Sequence, residues 1–223
     1  MCGRYNVSDT PEMHLLMKSL RVSHLPEPRR NVAPGALGQF VIEQAGERQL
    51  LDGYWSLLIE PRPDGKPGYR PNTKFKTFNA RSDRITSSPL WRGHIRSKRA
   101  IVPVTGYHEW IGKQCYQIQQ VGRAIALGGM YDLWQFGAEI VPAFTVITLG
   151  AHPRSAHIHD RLPLMLEPED FDAWLDPAMT QAMAFQDLMQ PVLRHALHVL
   201  PVVSPMTLEP SAGAEIIEAD SRL

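Results

Sequence analysis

The chain has 223 residues, 43% of them hydrophobic, and 23 Lys and Arg against 23 Asp and Glu. That is enough apolar material for one sizeable core, so residues 1–223 are expected to form a single domain. No apolar run approaches the ~20 residues needed to span a bilayer, Asp9, Glu12 and His14 interrupt the stretch where a secretory signal would lie, and the two cysteines, Cys2 and Cys115, make no disulfide framework. A protein without membrane contact, in a reducing cytoplasmic compartment, is the expectation.

Thr10-Pro11-Glu12 reads as a helix start, with a capping hydroxyl, a proline in the first turn and an acid after it. Met13, Leu16, Met17 and Leu20 follow at helical spacing as a core-facing stripe. The helix should end before Pro26-Glu27-Pro28, and Asn31-Val32-Ala33-Pro34-Gly35 reads as a turn. Gln39–Glu43 and Arg48–Leu57 are expected strands joined around Ala45-Gly46, and the Pro- and Gly-rich stretch Pro61–Pro71 an irregular loop. A short helix beginning near Pro89 carries Leu90, Trp91 and Ile95. Strands are expected at Ala100–Val104, Tyr107–Trp110, Cys115–Ile118, Ala124–Met130, Phe144–Thr148 and Leu164–Leu166, with Cys115 in the core. Helices at Glu169–Leu175 and Ala178–Met189 precede strands near Leu197–Val203 and Ala214–Glu218. Many short strands with few helical crossovers predict an α+β fold with a largely antiparallel, barrel-like sheet core and flanking helices.

The neutral total hides an asymmetry. From Arg62 to Arg99 there are 11 Lys and Arg against Asp64 and Asp83, whereas Leu166–Leu223 holds 10 acids against Arg194 and Arg222. A locally cationic third interleaved with aromatics is consistent with a nucleic-acid contact, and equally with a solvated charged face.

The start of the chain carries the sharpest chemistry. If Met1 is removed, Cys2 bears a thiol and a free α-amine two carbons apart. The amine can condense with an aldehyde to a Schiff base, and the thiol can then close on the imine carbon to give a thiazolidine ring. The amine titrates near ~8 and a free thiol near ~8.5, so little activation is needed. An ordinary Met-Cys-Gly start with Cys2 as a small buried hydrophobe fits the same letters. Elsewhere, Glu109 in Tyr107-His108-Glu109-Trp110 is a candidate acid/base on a strand beside aromatics, and a paired structural glutamate fits there too. His157-Ile158-His159-Asp160-Arg161 suggests proton transfer by a histidine and an anion contact by Arg161. Neither metal-ligand spacing, nor a Gly-rich phosphate loop, nor a G-x-S-x-G or H-E-x-x-H motif occurs. No metal or cofactor is expected.

Cys2-Gly3-Arg4-Tyr5, Asn31-Val32-Ala33-Pro34, Asn79-Ala80-Arg81, Pro103–Trp110 and Ile158-His159-Asp160-Arg161-Leu162-Pro163 together resemble the SRAP (SOS response-associated peptidase) family from Cys2 to about Leu175. The resemblance implies a sensor of abasic sites in single-stranded DNA, whose ring-opened sugar is the aldehyde that the aminothiol traps. It implies that Cys2 forms the crosslink, that Asn79 holds the terminus or linkage, that Glu109 handles protons around the Schiff base and in self-release of the terminal segment, and that His159 steers the opened sugar. Arg4, Arg81 and Arg161 would grip phosphates, and Trp110 or Trp91 would stack on or wedge between bases. Strand cleavage by β-elimination (lyase activity) and autopeptidase activity are further implications, with a monomer that is cytoplasmic and nucleoid-associated when bound to DNA. The chain departs from the family at Trp55-Ser56, where Trp-Gly is usual, at Ser82-Asp83-Arg84 after Asn-Ala-Arg, and at Val203-Ser204-Pro205-Met206. Two other classes fit part of the pattern: an N-terminal-nucleophile amidohydrolase of the glutamine amidotransferase type, which expects four-layered sheets, and a non-catalytic nucleic-acid binder.

Overall fold

The computed structural model describes residues 3–211 and 213–221. Strand β1 (Arg4–Val7) is followed by α1 (Pro11–Ser19). Thr10 caps that helix, its Oγ1 accepting the Met13 N–H at 3.3 Å, and Met13, Leu16 and Met17 face inward as the spacing predicts. Next come β2 (Arg29–Val32), β3 (Leu37–Gln44), β4 (Glu47–Trp55), β5 (Ile59–Pro61), β6 (Tyr69–Pro71) and β7 (Asn79–Arg81). After α2 (Trp91–Ser97) the strands are β8 (Arg99–Val104), β9 (Gly106–Ile111), β10 (Gln114–Gln120), β11 (Ile125–Phe136), β12 (Glu139–Gly150), β13 (Arg161–Pro163) and β14 (Met165–Leu166). Helix α3 (Phe171–Leu175), β15 (Leu197–Val202) and β16 (Glu215–Ile217) complete the order.

The strands form the expected barrel. β12, β4, β3, β8 and β11 pair in sequence, and β11 pairs back onto β12, which closes the ring. The corner lies in the middle of β11. Residues 125–130 pair with β8 and residues 129–136 pair with β12, so Gly129 and Met130 belong to both ladders. A Cβ on Gly129 would lie 2.4 Å from the Thr145 carbonyl oxygen, so the ring can close this tightly only over a glycine. A second, six-stranded sheet runs β16-β15-β10-β9-β1-β2. It packs on the barrel through buried Tyr5 of β1, whose ring lies 5.0 Å from that of Trp55 on β4. Such a closed ring beside a single sheet is not the four-layer arrangement that the amidotransferase reading requires.

Three expectations are corrected. Ala178–Met189 is not a helix but two 3-10 turns, Ala182–Phe185 and Asp187–Met189. Met179 and Met183, which a helical stripe would have buried, are solvent-exposed, and a single anchor, Phe185, packs edge-on to Trp174. Asn31-Val32 ends strand β2 rather than starting a turn, which instead closes at Ala33–Ala36 over Gly35 at φ 85°. The Pro61–Pro71 stretch is a hairpin, its ends paired as β5 and β6.

Part of the cationic third is tied into the fold, while Lys74, Lys76, Arg84, Arg92 and Arg96 stay exposed. Arg99 is buried, and its guanidinium donates to the backbone carbonyls of Ile95, Arg96, Trp174 and Asp176, which ties the end of α2 to α3. Burial lowers its pKa to about 10. Arg62 pairs with Asp64 and Arg70 with Glu60. His94 and Lys98 both reach buried Asp132 on β11, at 2.8 and 2.5 Å. Burial alone would raise the Asp132 pKa, but the hydrogen bonds from His94 and Lys98 outweigh it and bring it down to about 2. The unfolded carboxyl titrates near ~3.9. Asp132 therefore contributes ~2 kcal/mol that is fully present above that value and is lost as pH falls towards 2. Urea unfolding followed from pH 6 to pH 2 should show that loss in the parent and not in Asp132→Asn, which starts lower and stays flatter.

Candidate active site

The two faces of β9 divide the candidate residues. The register pairs Arg4 with His108 and Tyr5 with Tyr107, so Glu109 and Tyr107 share one face while Arg4, His108 and Trp110 share the other. Cys2 lies outside the described residues. Gly3, next in the chain, runs from β1 towards the Glu109 end of β9, because the two strands are antiparallel.

On the inner face, Glu109 is 4% exposed. Burial pushes its carboxyl above the ordinary range, and the nearby charge of Asp160 adds to this while that of His159 opposes it. Tyr107, Glu109, Ser155, His159 and Arg161 line one small cleft. His159 stands in the loop between β12 and β13. Its Nδ1 accepts the Arg161 N–H at 3.0 Å and lies 2.6 Å from the Asp160 carboxylate. A neutral Nδ1 can take only the N–H, and a protonated Nδ1 can only donate to Asp160. The ring therefore has a ready partner in either protonation state.

The third group arrives on β7, a three-residue strand running parallel to β12 with Asn79 opposite Val146 and Arg81 opposite Thr148. Asn79 and Arg81 point to the same side, and Asn79 is 8% exposed. The Trp55-Ser56 departure fixes this strand. The indole N–H of Trp55 donates to the Phe78 carbonyl at 2.8 Å, and Ser56 Oγ meets Thr77 Oγ1 at 3.0 Å. The side chain of a serine thus holds the residue two places before Asn79.

Asp83, part of the Ser82-Asp83-Arg84 departure, organises the arginines. It binds Arg81 through both oxygens, at 3.0 and 2.8 Å, and lies 3.7 Å from Arg161. The hydrogen bond from Arg81 holds its pKa below the usual carboxylate range. Arg161 faces inward, its guanidinium bonded to the carbonyl and hydroxyl of Thr148, whereas Arg81 is exposed. Arg81, Asp83, Glu109, His159 and Arg161 thus lie together beside the His159 loop, with Asn79 two places before Arg81 on β7.

On the outer face Arg4 donates to Asn31 Oδ1 at 3.0 Å. Asn31 holds a left-handed φ of 54° and gives its N–H to Asn6. Trp110 is 38% exposed and lies beside this arginine face, its ring 6.4 Å from that of His108. Trp91 is 8% exposed and belongs to the core, so it offers no open ring face. Cys115 is buried in the core, as read from the sequence. Among the described residues no group of three His, Cys, Asp or Glu is placed to hold a metal ion, and no helix is long and apolar enough to cross a membrane.

The model of the family described as SOS response associated peptidase (SRAP) matches residues 1–207. The chain belongs to this family. Among SRAP relatives, it is 28% identical over 234 residues to the abasic site processing protein YoqW of Bacillus subtilis, with 98% of this chain and 100% of that one covered. It is 28% identical over 188 residues to the abasic site processing protein YedK of Escherichia coli, with 78% and 79% covered. With the abasic site processing protein HMCES of Gallus gallus the identity is 26% over 206 residues, covering 77% of this chain and 60% of that one. Of solved structures, proteins from Bordetella bronchiseptica and Bacteroides thetaiotaomicron align with TM-scores of 0.70 and 0.65 at 20% and 21% identity. Each covers at least 90% of this chain, and 100% and 95% of the respective neighbour. At that identity the likeness shows the fold alone.

Proposed function

We propose that this SRAP protein recognises abasic sites in single-stranded DNA and joins itself to them through Cys2, once hydrolysis of the Met1–Cys2 bond has freed the α-amine. The observation that carries the reading is the buried Glu109 lining one cleft with His159, on the part of β9 towards which Gly3 runs. The names of the curated relatives support the substrate class.

In this reading the Cys2 amine adds to the C1′ aldehyde of the opened sugar, and loss of one water leaves a Schiff base. Glu109, whose hold on a proton is strengthened by burial, supplies the proton that the departing oxygen needs and takes it back as the thiol adds to the imine carbon. The new S–C bond closes the thiazolidine, and no oxidant or metal enters the balance. His159 opens the sugar by exchanging a proton with its ring oxygen. Its alternate partners, the Arg161 N–H and the Asp160 carboxylate, suit a group that must be stable in both states. Asn79 holds the terminus against β7.

Arg81 meets a phosphate by giving up part of its pairing with Asp83, and Arg4 meets one from the other face of the sheet, beside the open face of Trp110. Arg161 contributes field more than contact, because Thr148 already holds its guanidinium. The protein acts as a monomer in the cytoplasm, associating with the nucleoid through its DNA.

The reading is tested by incubating the protein with a single-stranded oligonucleotide bearing one abasic site, then measuring a denaturing gel and intact mass. The expected product is an adduct on the peptide that begins at Cys2, with Met1 absent and one water lost. An intact oligonucleotide should give none. If both DNAs bind equally and no adduct survives denaturation, the protein is a non-catalytic binder.

A further inference from the structure

The family match ends at residue 207, yet the chain beyond it returns to the loop that carries His159. Strand β16 pairs with β15, setting Ile217 opposite Leu197, and Ile217 is buried in the core. From this anchor the segment crosses the His159 loop. Arg154 Nη1 donates to the carbonyls of Glu218 and Ala219, both at 2.8 Å, and His157 Nε2 meets Glu215 at 3.1 Å.

Asp220 is the hub. One carboxylate oxygen meets His152 Nε2 at 3.1 Å, and the other accepts the Leu193 N–H at 3.0 Å. The Asp220 N–H donates to the Leu193 carbonyl at 2.8 Å, which ties its backbone as well as its side chain.

A continuous path leads from there to the reaction centre. The His152 carbonyl accepts both the N–H and the hydroxyl of Ser155, at 2.9 and 3.2 Å. The Ser155 carbonyl in turn accepts the N–H groups of Ile158 and His159, at 3.0 and 3.4 Å. His152 and Ser155 are buried, at 8% and 5% exposure, so the middle of the path is shielded from water. Without Asp220 the loop keeps its ends in β12 and β13 and its contacts through Arg154 and His157, but His152 loses its partner.

We propose that the segment Glu215–Asp220 is a strap that sets the position of His159, with Asp220 as a positioning residue. The inference rests on the proton-transfer role given to His159 above. A ring displaced by a fraction of an ångström leaves DNA affinity alone and slows the chemistry, because orientation at the reacting atoms is worth orders of magnitude in rate.

The test compares the parent, Asp220→Ala, His159→Gln and the double variant on a single-stranded oligonucleotide with one abasic site. Adduct formation is timed at saturating DNA, affinity is measured on the intact oligonucleotide, and the His159 ring is followed by NMR, its signals assigned by their loss in His159→Gln. Asp220→Ala is expected to react ~10- to 100-fold more slowly with unchanged affinity and with shifted His159 ring signals. The double variant should be no slower than His159→Gln, since both changes act through one group. A parent-like rate in His159→Gln overturns the role of His159 itself. A slow His159→Gln beside an Asp220→Ala variant that keeps both the parent rate and the parent ring signals overturns the strap. Should Asp220→Ala lose the native melting transition, Arg154→Ala removes the two bonds to the strap's carbonyls and the 3.8 Å pairing with Asp220 while leaving the Asp220 bonds to His152 and Leu193, and is read in the same way.

Discussion

Cys2→Ala is expected to give no adduct that survives heating in denaturant, while abasic DNA is still cut. Alanine at this position keeps the α-amine once Met1 has gone, so the Schiff base still forms. No thiol is left to close on the imine carbon. The imine then either hydrolyses back to the aldehyde or acts as an electron sink that acidifies the neighbouring sugar carbon. Loss of that proton with cleavage of the C3′–O bond is β-elimination, and ring closure no longer competes with it. A denaturing gel should show the parent shifted by the mass of the protein and the variant unshifted, with a shortened strand accumulating. Borohydride added during the reaction should restore a shifted band in the variant by reducing the imine. A heat-stable adduct in Cys2→Ala without borohydride would rule out the thiazolidine.

The second large effect has opposite signs for activity and stability. Glu109→Gln should slow adduct formation by ~10²–10⁴-fold, the range over which positioned acid–base groups act. The same change should stabilise the fold at neutral pH. Burial is the largest influence on Glu109 and raises its pKa above the usual value, near ~4.3 for an unfolded glutamate. Between those two values the folded chain keeps a proton that the unfolded chain has released, so stability falls as pH rises through the window. Glutamine avoids that loss. Urea unfolding at pH 8 should therefore find the variant more stable than the parent, and the difference should disappear below pH ~4. A variant that is slow and also less stable at pH 8 would assign Glu109 a structural role instead.

What could be read from the letters follows a physical division. The inward face of Glu109 was legible because strand alternation sets it beside Tyr107, and that signal is local. The helix at Pro11–Ser19 was legible because its cap and stripe lie within one short stretch. Asn79–Arg81 carried no strand signal, since three residues show no alternation. It becomes a strand only because Phe78 and Trp55 deliver it to the edge of β12. The cationic third read as a track for a polyanion, and most of it is exposed, but Arg99 is taken up by carbonyls 75 residues or more away and Arg62 and Arg70 pair with acids close by in the chain. Asp83 looked like a substitution without a task until the register placed Arg161 beside it. Asp220 was invisible for the same reason, its histidine partner lying 68 residues earlier in the chain. Ala178–Met189 misled because its composition favours a helix, whereas only Phe185 is fully buried and Ala182, Leu188 and Met189 pack partly against the core.

The position of β1 has a mechanical consequence. It is an inner strand of the six-stranded sheet, paired with β9 on one side and β2 on the other, both antiparallel. A load applied through the chain start along the strand, as DNA joined to Cys2 in the proposed reaction would apply when pulled, would act on both ladders at once. Hydrogen bonds loaded together in shear share the force, whereas those of a peeled edge strand fail one at a time. A start tied to an edge strand would peel away and take the attached DNA out of the site. Here the same pull bears on the whole sheet, and Tyr5 passes it on to Trp55 and the closed barrel.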